Sequence, residues 1–90
     1  MFIKFTENFL DDLEQIDDKK LKARIIKIIE SIEETNSPDE ILNLKKLHGT
    51  TNNFRLRLGD YRFGIIIRND TVIFMRFLHR KDIYRYFREK

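Results

Sequence analysis

Hydrophobic and polar positions follow two different periods along this chain, and the change comes near residue 53. At the amino end Phe2, Ile3 and Phe5 form a short apolar-rich run that predicts a strand. Thr6 follows as a candidate helix cap, because its hydroxyl can accept from a free backbone N–H in the first turn. Phe9, Leu10, Leu13 and Ile16 then recur at helical spacing. Asp17 and Asp18 offer a second cap. Beyond them Leu21, Ile25, Ile28 and Ile32 make an i, i+4, i+7, i+11 stripe that Ile26 and Ile29 widen. Asn36-Ser37-Pro38 ends it, since proline drives the residue before it out of helical conformation. The prediction is an αα-hairpin. Its outer positions mix Glu30, Glu33 and Glu34 with Lys20, Lys22, Arg24 and Lys27, a pattern that solvates and supports helices. The segment from Asp39 to Leu47 fits neither period.

From Asn53 the period is two. Phe54, Leu56 and Leu58 alternate with Arg55 and Arg57, Gly59-Asp60 supplies a glycine-first hairpin turn, and Tyr61 to Arg68 returns as a second strand. Asn69-Asp70 turns the chain again into Thr71–Leu78, so apolar throughout that it predicts a strand that is central or covered on both faces. A two-residue loop at Gly59-Asp60 pairs Leu58 with Tyr61 and Arg57 with Arg62. Arg55, Arg57 and Arg62 then share one face, and Phe54, Leu56, Leu58, Phe63 and Ile65 the other. Directly opposed cations destabilise a hairpin unless something anionic binds there, so this patch is a sharper signal than overall charge. Gly64, on the arginine face, leaves room for a backbone or ligand to approach. A two-residue turn at Asn69-Asp70 would send Arg76 inward against Phe63, whereas a three-residue turn would set it beside Arg62. Avoiding a buried charge favours the second.

Composition narrows the class. Ninety residues read as a single domain, 1–90, of marginal stability that a bound partner would raise. The absence of cysteine removes disulfides and thiolate metal sites, and with two histidines not paired on a helix no metal site or other cofactor is indicated. The start Met1-Phe-Ile-Lys-Phe-Thr-Glu7 lacks a basic leader with a long apolar run, and no segment approaches bilayer-spanning length, so the expectation is a cytoplasmic protein without membrane contact. The net charge of +3 hides an asymmetry: residues 1–44 hold 6 Lys and Arg against 11 Asp and Glu, whereas residues 45–90 hold 12 against 4, with 8 of the 12 arginine. Guanidinium forks onto phosphate oxygens and stacks on bases, which makes a polyanion the natural partner.

Leu44-Lys-Lys-Leu-His-Gly49 ahead of Phe54-Arg-Leu-Arg-Leu-Gly-Asp-Tyr-Arg62, with His79-Arg-Lys-Asp-Ile-Tyr84 near the end, resembles the RelE/ParE superfamily of toxin–antitoxin toxins, and the helical hairpin before these motifs agrees. The resemblance spans nearly the whole chain. It implies an α+β fold, a β-α-α-β-β-β unit with a short C-terminal helix, in which an antiparallel meander packs on the hairpin. For the RelE branch it implies cleavage of messenger RNA in the ribosomal A site, restrained by a cognate antitoxin, so that antitoxin, ribosome and message are the expected partners and no small-molecule cofactor is. For the ParE branch it implies poisoning of DNA gyrase by binding, without hydrolysis.

Carried over residue by residue, the resemblance places Arg55 and Arg57 where RelE-type enzymes present basic side chains. Arg62 matches the arginine of the Tyr-Arg element, Arg80 the arginine after the last strand, and Tyr84 the tyrosine of the closing segment. Attack of a ribose 2′-OH on the adjacent phosphate piles charge on nonbridging oxygens, which Arg57, Arg62 and Arg80 are suited to stabilise, while one group removes the 2′ proton and another protonates the leaving 5′ oxygen. Tyr84 and His79 are both candidates for proton transfer. Lys45, Lys46, Arg76 and Lys81 complete the expected RNA-binding set with Arg55 and Arg57.

Plainer readings stand beside these. His79 at a strand end fits a hydrogen bond to a main-chain carbonyl, and His48 beside Gly49 fits loop structure. Ile83, Tyr84, Tyr86 and Phe87 fit one stripe pinning the last helix to the sheet. Tyr61 fits the core with its hydroxyl near the edge, and Arg68, Arg85 and Arg88 a solvated surface.

Overall fold

The computed structural model describes residues 1–87; Arg88, expected at the surface, lies outside the described residues. In chain order come strand β1 (Phe2–Phe5), helices α1 (Glu7–Glu14) and α2 (Lys19–Glu33), one turn of 3-10 helix (Pro38–Glu40), strands β2 (Leu44–Lys46), β3 (Asn53–Leu58), β4 (Tyr61–Arg68) and β5 (Thr71–His79), and the single turn α3 (Ile83–Tyr86). The α+β architecture is the expected one, with one additional strand: β2 arises in the segment that fitted neither period.

Both helix starts are set by side chains. The Thr6 hydroxyl accepts from the Phe9 N–H at 3.1 Å and donates to the Met75 carbonyl at 2.8 Å, so it caps α1 and ties it to β5. Of the two aspartates before α2, Asp18 is the cap, accepting from Lys20 and Leu21 N–H groups at 2.9 and 3.1 Å.

The sheet order is β1-β5-β4-β3-β2, with β1 parallel to β5 and every other pair antiparallel. The helical hairpin covers one face. There Phe9, Ile16, Ile25 and Ile32 meet Leu56, Leu58, Phe63, Ile65, Ile67, Val72, Phe74 and Phe77, and the ring centroids of Phe63 and Phe77 stand 4.8 Å apart. Leu10 and Ile26 leave the stripe they were expected to join, at 47% and 56% exposure. They line an open depression with Leu13 and Ile25 between the two helices. On the opposite face Leu47, Ile83 and Phe87 pack against Ile66, Met75 and Leu78, so β5, lying between β1 and β4, has apolar partners on both sides.

The β3–β4 register is as expected, with Leu58 opposite Tyr61 and Arg57 opposite Arg62. The β4–β5 register reaches the expected face by a different device. Asn69-Asp70 is a two-residue turn, with Arg68 opposite Thr71, and a bulge then pairs Ile65 with Phe74 but Gly64 with Arg76. Met75 is the extra residue. The bulge, rather than a longer turn, moves Arg76 off the core face that a continuous ladder would have given it.

Candidate functional site

The site begins with a backbone constraint. Gly59 takes φ +58°, a left-handed turn conformation that glycine adopts without strain, and the tight loop it permits fixes the pairing of the arginines beyond it. Across β2, β3 and β4 the pairs Lys45–Arg55, Arg55–Gly64 and Arg57–Arg62 place Lys45, Arg55, Arg57 and Arg62 on the face away from the helical hairpin. Lys46 pairs with Phe54 and so belongs to the other side of that edge. Both lysines are exposed on β2, where charged side chains also discourage pairing with a foreign strand.

Arg62 is tied to the loop beside it. Its Nη1 donates to the carbonyls of Gly59 at 2.9 Å and Tyr61 at 2.8 Å, which folds the guanidinium back over the hairpin loop. Its pKa is lowered by burial first, then by repulsion from Arg57 and Arg55 and, more weakly, from Arg80, while Tyr84 acts in the opposite sense. Arg55, Arg57, Arg80 and Tyr84 therefore all lie within electrostatic reach of one guanidinium.

Arg80 is brought there by its backbone, whose N–H donates to the Asp60 carbonyl at 2.7 Å and ties the end of β5 to the β3–β4 loop. Its Nε stands 4.0 Å from Asp60 Oδ1, both groups exposed, so the pair is weak and screened. Lys81 is exposed on the turn that follows. Tyr84 sits on α3, and the stripe expected there divides: Ile83 and Phe87 are buried against the sheet, while Tyr84 and Tyr86 are not, Tyr84 at 42% exposure.

His79 is placed elsewhere. It pairs with Tyr61, whose ring stacks on core Phe77 at 5.1 Å and meets the imidazole edge-on at 5.6 Å, so it lies on the helical-hairpin face, opposite Arg57 and Arg62. Its Nδ1 accepts from the Lys81 N–H at 3.1 Å, a bond to a main-chain donor instead of the expected carbonyl. Arg76 is also set apart from the open cations. Its guanidinium makes a two-pronged pair with Asp12 at 2.8 and 2.9 Å and lies 4.8 Å from the Tyr86 ring centroid. The hydrogen bond to Asp12, outweighing desolvation, raises its pKa.

Asp12 was missed from sequence, and a signal existed. It falls within the Phe9–Leu13–Ile16 stripe, where an acid needs a partner. It has two, since its Oδ2 also accepts the Phe77 N–H at 2.9 Å. The room at Gly64 is filled by the Phe87 ring: a Cβ at Gly64 would stand 2.7 Å from Phe87 Cγ.

Among the described residues, Arg55, Arg57 and Arg80 lie within electrostatic reach of Arg62 together with the Tyr84 phenol, an arrangement that can hold a phosphate and move a proton next to it. Among the described residues no helix is long and apolar enough to cross a membrane.

Comparison with known proteins gives the family and agrees on the fold. The family described as ParE toxin of type II toxin-antitoxin system, parDE, matches residues 3–84. Toxin RelE3 of Methanocaldococcus jannaschii is 42% identical over 88 residues, covering 97% of this chain and 99% of the relative. Among solved structures, the RelB-RelE antitoxin-toxin complex from Methanococcus jannaschii superposes with a TM-score of 0.79 at 42% identity, over 93% of this chain and 98% of that one. The archaeal RelE-RelB complex from Pyrococcus horikoshii OT3, at 23% identity, shares the fold with a TM-score of 0.71 over 88% of this chain and 93% of that one. With a family match over most of its length and a near full-length relative at this identity, the chain belongs to the RelE/ParE superfamily of type II toxin–antitoxin toxins.

Proposed function

We propose that this toxin is of the RelE type and cleaves messenger RNA on the ribosome by internal attack of a ribose 2′-OH. The observation that carries the proposal is Arg57 directly opposite Arg62 on the sheet face away from the helical hairpin, with Arg55 next along that face and Arg80 and exposed Tyr84 within electrostatic reach of Arg62. In the reaction the 2′ oxygen bonds to phosphorus while the bond from phosphorus to the 5′ oxygen breaks. The upstream fragment keeps a 2′,3′-cyclic phosphate and the downstream fragment a 5′-OH. Negative charge builds on the nonbridging oxygens, and Arg62 with Arg57 and Arg80 stabilises it. Tyr84 accepts the 2′ proton as it passes its own hydroxyl proton to water. His79, on the opposite face, is left out of the reaction, and solvent water protonates the leaving oxygen. Lys45, Arg55 and Lys81 hold neighbouring phosphates, and the route requires no metal ion. The protein acts in the cytoplasm, where ribosomes are.

A cognate antitoxin restrains it. The solved relatives named above are complexes with RelB, and the basic face here suits an acidic segment of such a partner. The second reading, a ParE-like toxin that binds DNA gyrase without hydrolysis, draws support from the name of the matching family. Induction in a bacterial host followed by mapping of message ends separates the two. Cuts in phase with codons support cleavage, whereas intact messages with gyrase-linked DNA breaks support the gyrase reading and end this proposal.

A further inference from the structure

α3 has four residues and no side-chain cap, too short to hold its own conformation or position. Buried Ile83 anchors its start, and two further contacts set its place from outside. At the first, Phe87 lies directly over Gly64. A Cβ there would meet Phe87 Cγ at 2.7 Å and Cδ2 at 2.9 Å, the root of the ring, so the ring could not yield by turning its tip aside. Gly64 has no left-handed φ, and what the position requires of glycine is the space alone.

At the second point the Tyr86 ring rests on the Arg76 guanidinium, 4.8 Å from its centroid. That guanidinium is itself fixed by the fork onto Asp12, at 2.8 and 2.9 Å. Asp12 is fixed in turn by the Phe77 N–H, a donor left open because β1 pairs with β5 only from Thr71 to Phe74. The bulge at Met75 turns Arg76 onto this face. Neither support contributes a free charge to the arginine group: Gly64 has no side chain, and Arg76 is neutralised by Asp12. Tyr84 lies just ahead of both fixed residues in sequence, on the turn that starts at buried Ile83 and runs on to buried Phe87.

We propose that Gly64 and the Asp12–Arg76 pair are positioning residues, which fix the seat of α3 and through it the Tyr84 phenol. This rests on the reading that Tyr84 transfers a proton in RNA cleavage. Reacting groups tolerate little displacement, and a shift of about 1 Å can cost about 10²-fold in rate.

The test uses the full chain, labelled with 3-fluorotyrosine. Its three tyrosines give three fluorine resonances, assigned by single Tyr→Phe substitutions. Gly64→Ala is expected to keep cooperative unfolding and the Tyr61 resonance, to move the Tyr84 and Tyr86 resonances, and to lower kcat for cleavage of ribosome-bound message about 10–10²-fold with KM within about twofold. Adding Phe87→Leu, which removes the crowded ring, should return the Tyr84 resonance and most of kcat. Arg76→Lys keeps a cation for Asp12 but loses the planar platform, so it should also move the Tyr84 and Tyr86 resonances, and it decides the matter should Gly64→Ala not fold. The proposal is overturned if a folded variant leaves Tyr84 and kcat unchanged, or if the loss falls on KM alone. Should the unsubstituted protein cut no RNA, the cleavage reading fails, and the resonances by themselves still decide whether these residues seat Tyr84.

Discussion

Arg62 holds its charge against both burial and its neighbours, with Arg57 directly across the strand pair and Arg55 next in line. Its folded pKa lies below the unfolded value, so for a base the penalty is present at all pH below the folded value and is relieved only as pH rises through it. Salt is therefore the informative variable. Arg57→Thr, which keeps strand propensity, should raise stability by a few tenths of a kcal/mol, the scale of an unfavourable cross-strand pair at an exposed position. The gain should fade near 1 M salt, where the screening length falls to about 3 Å, and urea titrations at two ionic strengths check it. Arg62→Ala should leave the protein folded and lower cleavage by about 10²–10³-fold, the magnitude of one lost electrostatic stabiliser, measured on ribosome-bound message. Unfolding, or full toxicity, would make Arg62 structural instead. At this scale the opposed arginines were legible because the Gly59-Asp60 turn allows one register. The position of His79 on the other face was not read, although its pairing with Tyr61 decides it.

Among the elements, α1 is joined to the sheet by more than apolar contact. Asp12 joins α1 to β5 through Arg76 and the Phe77 N–H, with the Arg76 and Asp12 side chains only 20% and 9% exposed. Asp12→Ala leaves a half-buried guanidinium and a backbone donor without their acceptor and should cost about 1–3 kcal/mol, below the range for breaking a fully buried pair. Denaturant midpoints measure it, and an effect under a few tenths of a kcal/mol would mean that solvent replaces the contact. The caps at Thr6 and Asp18, both helices and the β3–β4 hairpin were legible because each rests on local chemistry: a hydroxyl or carboxylate before an apolar stripe, a glycine at a left-handed turn. β2 escaped because three residues at a sheet edge, Leu44-Lys-Lys46, make no alternation. The bulge escaped because β5 is almost wholly apolar, and an extra residue leaves no mark on a run without a period.

Over the whole molecule, charge divides with structure. The acidic part of the sequence, residues 1–44, supplies the helical hairpin, and the basic part supplies the meander whose far face carries the arginines. An acidic antitoxin segment that folds on binding this face should raise the toxin's melting temperature with the logarithm of its concentration above Kd, and its affinity should fall as salt rises. Salt-independent binding would point to an interface on the apolar flank near Leu10 and Ile26 instead. The central claim, that the arginines and Tyr84 cleave RNA by 2′-OH attack, is tested most directly by end analysis of message on purified ribosomes, with a chelator present at a level that leaves them intact. The account predicts upstream fragments ending in 2′,3′-cyclic phosphate from the unsubstituted protein and none from Tyr84→Phe under the same conditions. Ends bearing 3′-OH and 5′-phosphate, undiminished cutting by Tyr84→Phe, or no cutting by the unsubstituted protein would contradict it.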